Sequence, residues 1–168
     1  MKRKVIKLHQ PTAPLHGVRD YMAAVIASAG IGFIPIASGT FASLVAAVFW
    51  FVIADWSPWR KILLWIVAAL LGVWAAGRLI RCWGPDPARV VIDEIVGQWL
   101  ALVIVPTIPV WYFVSFIIFR CFDIVKPFPI RRIEQWRGGW GVIADDILAA
   151  LYTILIFFIL QRIGIVRN

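Results

Sequence analysis

Two adjacent carboxylates stand in a stretch of the chain that is otherwise apolar. Asp93 and Glu94 lie near the start of "VVIDEIVGQWLALVIV" (Val90–Val105), and Gln98 follows one helical turn later. An unpaired Asp in the middle of a membrane helix costs about 2.5–3.5 kcal/mol on insertion scales, and intramembrane acids are commonly functional. The expected chemistry of this pair is therefore ligation of a hard cation or transfer of a proton.

Three further acids join this pair when the apolar runs are threaded through a membrane as helices. Asp123 falls in the last turn of one run, and Asp145 and Asp146 fall in the first turn of the next. Asp93 and Glu94 lie about 9–10 Å along a helix that enters from the same side, at a rise of about 1.5 Å per residue. The sequence thus predicts that five of its nine acids meet at one depth.

Structural roles remain open for some of these acids. Asp145 and Asp146 also suit the capping of a helix N-terminus. Asp123 also suits an ion pair with Arg120 or Lys126 at a spacing of three residues. The acids at positions 93 and 94 fit such roles least, because a capping residue does not lie two turns inside a helix.

The remaining residue types narrow the chemistry further. The only histidines, His9 and His16, precede the apolar region, which argues against zinc sites and Ser-His-Asp hydrolysis. Neither Cys82 nor Cys121 has the arginine spacing of a cysteine phosphatase, and the chain contains no P-loop and no G-x-S-x-G motif. A carboxylate centre that holds Mg²⁺ beside basic residues remains, and such a centre suits phosphoryl chemistry.

The composition is that of an integral membrane protein. Of the 168 residues, 62% are hydrophobic and 15% are charged, against about 45–50% and about 25% in a soluble domain. The net charge of +8 is spread between apolar runs, which favours loops that face anionic lipid over a nucleic-acid surface. The basic, polar start of the chain is not expected to be a cleaved signal peptide.

The apolar runs predict an all-α fold, a polytopic membrane bundle of about five transmembrane helices. The expected spans are Phe41–Ala54, Ile62–Ile80, Pro87–Val105, Val110–Val125 and Val142–Leu160. Before them, Tyr21–Ile36 is expected to re-enter the membrane or to lie at its interface. Residues 1–20 are expected to form a basic cytoplasmic segment, and residues 21–168 a single membrane-embedded domain.

Charge and capping residues orient these spans. With the N-terminus in the cytoplasm, only four of the 17 Lys and Arg face the other side, as the positive-inside rule requires: Arg60, Lys61, Arg162 and Arg167. Asp86 precedes Pro87 and is expected to cap the third span. Ser38 and Thr40 are expected to cap the first.

Four blocks of the sequence resemble the phosphatidylglycerophosphatase A family. They are "SGTFASL" (Ser38–Leu44), "DPARVVIDEIVGQWLAL" (Asp86–Leu102), "FRCFDIVKPFPIRRIE" (Phe119–Glu134) and "GGWGVIADDILAALY" (Gly138–Tyr152). The blocks occur in the family's order and cover roughly residues 30–152. Ser38 and Ala42 depart from the family's usual proline and glycine at those positions.

The resemblance implies a bacterial inner-membrane lipid phosphatase that depends on Mg²⁺ and faces the cytoplasm. Its substrate would be phosphatidylglycerol phosphate, and its products phosphatidylglycerol and inorganic phosphate. The family's acids fall on the expected metal-binding and catalytic residues, which are Asp93, Glu94, Asp123, Asp145 and Asp146. The expected phosphate-binding residues are Thr40, Arg120, Lys126 and Arg131.

Alternatives stay open for the mechanism and for the function. The nucleophile is expected to be water, with one acid as general base, and the other option is direct attack by an Asp. A cation or proton transporter would also place acids in a bundle, but it needs a polar path that Leu64–Gly72, Leu102–Val105 and Ile154–Leu160 do not provide. A structural membrane protein is the other rival class, and it would tolerate Asp93→Asn and Asp146→Asn without loss of function. Membrane lipids are the other expected partners, and nucleic acid is not.

Overall fold

The regular structure of the protein is entirely helical in the part of the chain that the structure describes. This computed structural model describes residues 14–84, 87–133, 136 and 138–166. Within them lie α1 (Val18–Ser28), a 3₁₀ turn (Ile31–Phe33), α2 (Ser38–Val52), α3 (Pro58–Trp83), α4 (Ile92–Ala101), α5 (Pro109–Val125), α6 (Ile130–Ile133) and α7 (Gly139–Arg162). The predicted all-α class is therefore confirmed.

Two of these helices, α3 and α7, are long and apolar enough to cross a membrane. At a rise of about 1.5 Å per residue they exceed the hydrocarbon thickness of about 30 Å. The outer face of α3 is apolar, with Ile62, Leu63 and Leu70 more than half exposed. Since α2 is apolar but shorter, the count of about five spans stays a proposal.

The third expected span is shorter than its apolar run. A helix over Pro87–Val105 was the prediction, but α4 covers only ten residues. The N–H of Val91 donates to the carbonyl of Ala27 at 2.8 Å, in the last turn of α1, where carbonyls lack partners within the helix. This bond holds residues 87–91 as a turn against α1, so that α4 starts later.

The positions of the acids along their helices also differ from the prediction. Asp93 and Glu94 lie in the first turn of α4 rather than two turns inside it. Because α7 begins at Gly139, Asp145 and Asp146 lie in its second turn rather than its first. The capping role that was open for Asp145 and Asp146 is therefore wrong.

The expected cap of α2 is also wrong. Ala37 occupies the N-cap position in a left-handed conformation, and no side chain caps the helix. The Ser38 hydroxyl instead donates to the carbonyl of Ala88 at 2.9 Å, which ties the start of α2 to the turn before α4. The predicted cap Asp86, His9 and the first 13 residues lie outside the described residues.

The short helix α4 lies at the centre of the bundle and packs against α2, α3 and α7. Two indoles connect its backbone and side chains to the neighbours. Trp65 donates to the carbonyl of Val96 at 2.9 Å, and Trp99 donates to the carbonyl of Ala46 at 3.0 Å. These bonds satisfy polar groups inside an apolar core, and they hold the acids of α4 in place relative to α2 and α3.

A candidate metal and phosphate site

A cavity of about 660 Å³ opens at the end of the bundle where α2, α4 and α7 begin and α5 ends. The five predicted acids all line it, together with Lys126 and the backbone of Gly39, and so do Phe33, Pro35, Arg89 and Gly141. The four helices contribute from widely separated parts of the sequence. The predicted meeting of the acids is therefore observed.

The acids form two groups of three that share one member. In the first group, one carboxylate oxygen from each of Asp93, Glu94 and Asp146 lies within 4.8 Å of the others. In the second group, the same holds for Asp123, Asp145 and Asp146. Each group offers the oxygen ligands that Mg²⁺ prefers, and Asp146 belongs to both.

Three buried carboxylate oxygens of these groups have no hydrogen-bond partner. They are Oδ1 of Asp93, Oε2 of Glu94 and Oδ2 of Asp146. A buried acceptor without a partner costs about 1–3 kcal/mol, and more when it is charged. These oxygens therefore fit a divalent cation, which would satisfy them and offset the repulsion between neighbouring carboxylates.

Two basic side chains already neutralise part of the cluster. The Lys126 ammonium lies 2.6 Å from Oδ2 of Asp145, and the Arg120 guanidinium lies 2.6 Å from Oδ2 of Asp123. Arg120 also lies 3.7 Å from Oε1 of Glu94. The structural pairing that the sequence left open for Asp123 is thus observed with Arg120, and it coexists with a place in the acid cluster.

The first turn of α2 approaches the cluster closely through Gly39. A Cβ at this position would collide with the carboxylate of Glu94, so only glycine fits without displacing that acid. One turn later, the buried Ser43 hydroxyl donates to the carbonyl of Gly39 at 3.0 Å and accepts from Arg120 at 3.4 Å. The block around Gly39 therefore positions Glu94 and Arg120.

Two of the predicted phosphate-binding residues lie outside the cavity lining. Arg131 is exposed, and its guanidinium donates to the carbonyl of Val125 at 3.3 Å. Thr40 is half-buried beside the lining residue Gly39. Arg120 lies behind the acids, whereas Lys126 lines the cavity directly. Phosphate binding by these residues stays a prediction.

Sequence reasoning missed Arg89, which lines the cavity in the turn before α4. Its position between Pro87 and Asp93, inside one of the four blocks quoted above, was the available signal. From the sequence alone, an arginine in a turn is expected to be an ordinary solvated cation. Only the fold shows that this turn borders the cavity.

Comparison with known proteins agrees with the geometry. Residues 24–161 match the family described as phosphatidylglycerophosphatase A. A protein of Bacteroides thetaiotaomicron that carries the provisional name phosphatidylinositol-3-phosphatase is 44% identical over 136 residues, which cover 76% of this chain and 85% of the relative. No solved structure matches the chain.

Two bacterial relatives carry the family's own name. Phosphatidylglycerophosphatase A of Escherichia coli is 34% identical over 135 residues, covering 77% of this chain and 78% of the relative. Phosphatidylglycerophosphatase A of Haemophilus influenzae is 33% identical over 136 residues, covering 79% and 83%. The matched region contains all five acids of the cavity and both cations paired with them. The chain therefore belongs to the phosphatidylglycerophosphatase A family and is a lipid phosphatase.

Proposed function

We propose that the protein hydrolyses the terminal phosphate monoester of phosphatidylglycerol phosphate, giving phosphatidylglycerol and inorganic phosphate, with Mg²⁺ as cofactor. One observation carries this proposal: three of the acids that line the cavity each have a buried carboxylate oxygen without a hydrogen-bond partner, and Lys126 lines the same cavity. Carboxylates that hold a cation and basic groups that receive phosphate are the two parts that phosphoryl transfer needs.

The residues that would hold Mg²⁺ are the five acids of the two groups that share Asp146. When bound, the ion would neutralise charge on the phosphate and make a nearby water more acidic. One of these acids would also act as the general base that accepts the proton of the attacking water. The water oxygen would then bond to phosphorus as the ester P–O bond breaks, and the protonated acid would return the proton to the leaving glycerol oxygen, which becomes a hydroxyl of phosphatidylglycerol.

The basic residues divide into two roles in this proposal. Lys126 lines the cavity while it pairs with Asp145, so an incoming phosphate gains a cation that is already positioned. Arg120 sits behind Asp123 and Glu94, where it offsets their negative charge and holds both carboxylates in place. Charge-assisted hydrogen bonds of this kind are about twice as strong as neutral ones.

The substrate is the point on which the relatives differ. The names of the Escherichia coli and Haemophilus influenzae relatives indicate phosphatidylglycerol phosphate, whereas that of the Bacteroides relative indicates phosphatidylinositol 3-phosphate. Both lipids carry a terminal phosphate monoester that the same acid cluster would receive. We propose the former because two relatives and the family description name that activity.

The proposed location is the bacterial inner membrane, with several spans and a cavity that opens toward the cytoplasm. The apolar surfaces of α3 and α7 support residence in a membrane. The positive-inside rule supports the orientation, because Lys126, Arg131 and Arg132 lie at the cavity's end of the chain's helices. The acyl chains then stay in the bilayer, and only the headgroup enters the cavity.

A transporter is the weaker alternative. Its path would have to continue from the acids through the other half of the bundle. Two cavities lie at that other end, with volumes of about 390 Å³ and about 690 Å³, and both are lined mostly by apolar side chains, among them Trp50, Trp65 and Leu102 in the first. The family match also favours hydrolysis over transport.

The test is phosphate release by the purified protein in detergent micelles, with Mg²⁺ or with a chelator. The substrates are phosphatidylglycerol phosphate, phosphatidylinositol 3-phosphate, phosphatidic acid and lysophosphatidic acid. We expect the highest kcat/KM for phosphatidylglycerol phosphate, and none of the four to be hydrolysed in the chelator. A higher kcat/KM for another lipid, or full activity in the chelator, would contradict the proposal.

A further inference from the structure

We propose that Arg89 binds the phosphodiester that remains on the product lipid, and that it thereby selects lipids that carry both a phosphomonoester and a phosphodiester. This inference rests on the proposed function and adds the class of substrate. Arg89 lines the same cavity as the five acids. It lies in the turn before α4, whereas the acids of the two groups lie on α4, α5 and α7.

Two aromatic rings hold the guanidinium at the cavity mouth. The Cζ atom of Arg89 lies 5.8 Å from the ring centroid of Phe33 and 5.8 Å from that of Trp83. The two rings contact each other edge to face, with centroids 6.4 Å apart. Contacts between a guanidinium and aromatic rings at this distance are attractive, so the cation has a fixed place although Arg89 is exposed.

The backbone of Arg89 is fixed by its neighbours as well. A Cβ at Gly32 would collide with the carbonyl of Arg89, so the 3₁₀ turn and this loop pack in direct backbone contact. On one side of Arg89, the carbonyl of Ala88 accepts the Ser38 hydroxyl. On the other side, the chain is bonded through Val91 to α1. A cation that is tied down in this way is suited to recognise one position of a ligand.

The electrostatic setting of Arg89 differs from that of the other two cations. Lys126 and Arg120 are bonded to acids of the cluster. Among the residues that the structure describes, no carboxylate is paired with Arg89. Its planar guanidinium presents five donors in a fork that matches two oxygens of a phosphate. The cavity therefore has an acid-rich part for the reacting monoester and a separate arginine for a second anion.

The proposed substrate supplies such an anion. In phosphatidylglycerol phosphate, a three-carbon glycerol unit joins the monoester that leaves to a diester that stays with the lipid. Phosphatidylinositol 3-phosphate also carries both groups, whereas phosphatidic acid has the monoester alone. Binding of the diester at Arg89 would add affinity only for the first two lipids, and this difference gives selectivity.

The variant Arg89→Gln tests this assignment. For lipids with both phosphates we expect kcat/KM to fall about 10- to 100-fold, mainly through KM, because a hydrogen bond to a charged group is lost. For lysophosphatidic acid and phosphatidic acid we expect no change. Phosphatidylglycerol, which keeps only the diester, should inhibit the variant more weakly than the wild type by a similar factor. For lipids with both phosphates, the kcat/KM of Arg89→Lys should lie between the values of the wild type and of Arg89→Gln, because lysine keeps the charge but lacks the forked donors of arginine.

Arg162→Gln is the matched control, since Arg162 also lies over an aromatic ring, that of Phe158 at 5.0 Å, but at the far end of α7. Arg162→Gln should leave kcat/KM unchanged for all substrates. Equal losses on both lipid classes for Arg89→Gln, or unchanged inhibition by phosphatidylglycerol, would overturn the inference and leave the proposed function standing. If the wild type hydrolysed neither phosphatidylglycerol phosphate nor phosphatidylinositol 3-phosphate, both the inference and the proposed function would be overturned.

Discussion

Asp146 connects the two groups of acids and is the most deeply buried member of the cluster, with 2% of its surface exposed. It lies in the second turn of α7, so no helix-capping role explains it. Its Oδ2 has no hydrogen-bond partner, which is costly unless something positive binds there. At the scale of single residues, the site therefore depends on this carboxylate more than on any acid that belongs to one group.

Asp146→Asn should abolish most of the activity while the fold persists. Mutation of groups that only support a metal ligand typically costs about 10–100-fold, so removal of a shared ligand should cost more than about 100-fold. Mg²⁺ should raise the thermal unfolding temperature of the wild type, because an ion that binds only the folded state stabilises it. The variant should lose this shift. Phosphate release and thermal unfolding in micelles measure the two effects.

Asp55→Asn is the matched control, because Asp55 is exposed in the turn between α2 and α3, away from the cavity. It should retain both the activity and the Mg²⁺-dependent shift. A full Mg²⁺ shift in Asp146→Asn would show that the ion binds elsewhere.

At the scale of elements, the contact between α2 and α4 controls the geometry of Glu94. The two helices approach so closely at Gly39 that a methyl group would occupy the place of the Glu94 carboxylate. Arg120 and Ser43 brace the same contact from α5 and α2. The helix pair therefore fixes the place of an acid that we propose as a metal ligand.

Gly39→Ala should separate activity from folding. Overpacking of a tight contact typically costs about 1–3 kcal/mol, which a folded bundle can tolerate, but the displaced Glu94 would leave its metal-binding position. We expect at least about a 10-fold loss of kcat, since small misplacements of reacting groups cost up to about 100-fold. Val48→Ala, at an exposed position of the same helix, should be neutral. Unchanged kcat in Gly39→Ala would mean that Glu94 is not needed at this place.

A second link between elements joins α1 to α3 outside the cavity. The Asp20 carboxylate accepts the N–H of His16 at 2.9 Å and the Nε–H of Arg78 at 2.5 Å. These two partners, the backbone N–H first, hold the pKa of Asp20 below its ordinary value of 3.8. A lowered pKa in the folded state means stabilisation that is present above the ordinary pKa and is lost as the pH falls through the lowered one.

Asp20→Asn should therefore be less stable than the wild type at neutral pH, and the difference should vanish on acidification. Thermal unfolding of both proteins, followed by tryptophan fluorescence from neutral pH to below the lowered pKa of Asp20, measures this difference. Groups that titrate equally in both proteins cancel in the comparison. A difference in stability between the two proteins that stays constant or grows at low pH would show that the ionised Asp20 carboxylate does not stabilise the fold.

At the scale of the whole molecule, the chain separates an apolar body from one polar end. Most of the outward side chains of α3 and α7 are apolar, whereas the five acids of the cluster and their two paired cations gather at a single cavity. A headgroup can reach this cavity from the membrane surface while its acyl chains remain in the bilayer. The arrangement thus suits a substrate that never leaves the membrane.

The orientation in the membrane can be tested with single cysteines at the two ends. In a background with both native cysteines replaced (Cys82→Ala and Cys121→Ala), Asp55→Cys marks the turn away from the cavity and Trp136→Cys marks the cavity side. A membrane-impermeant thiol reagent should label Asp55→Cys from outside the inner membrane and Trp136→Cys only after permeabilisation. The opposite pattern would contradict a cavity that opens to the cytoplasm.

The chain's primary structure was sufficient for the helical class, for apolar helices long enough to span a membrane, for the meeting of the five acids and for the family. These follow from local properties: apolar runs of spanning length, the high cost of acids within them, and four motif blocks in order. The same local reasoning placed Asp93 too deep in its helix and Asp145 too early in its own. Helix starts depend on which backbone groups find partners, and the partner of Val91 is on α1.

Only the tertiary structure decided how these residues are grouped. The division of the acids around Asp146, the pairing of Arg120 with Glu94, and the place of Arg89 in the cavity wall all join segments far apart in the sequence. Periodicity and spacing report which face of one helix a residue occupies, but they carry no information on which helices become neighbours. That choice depends on close packing between elements, which is a property of the folded chain as a whole.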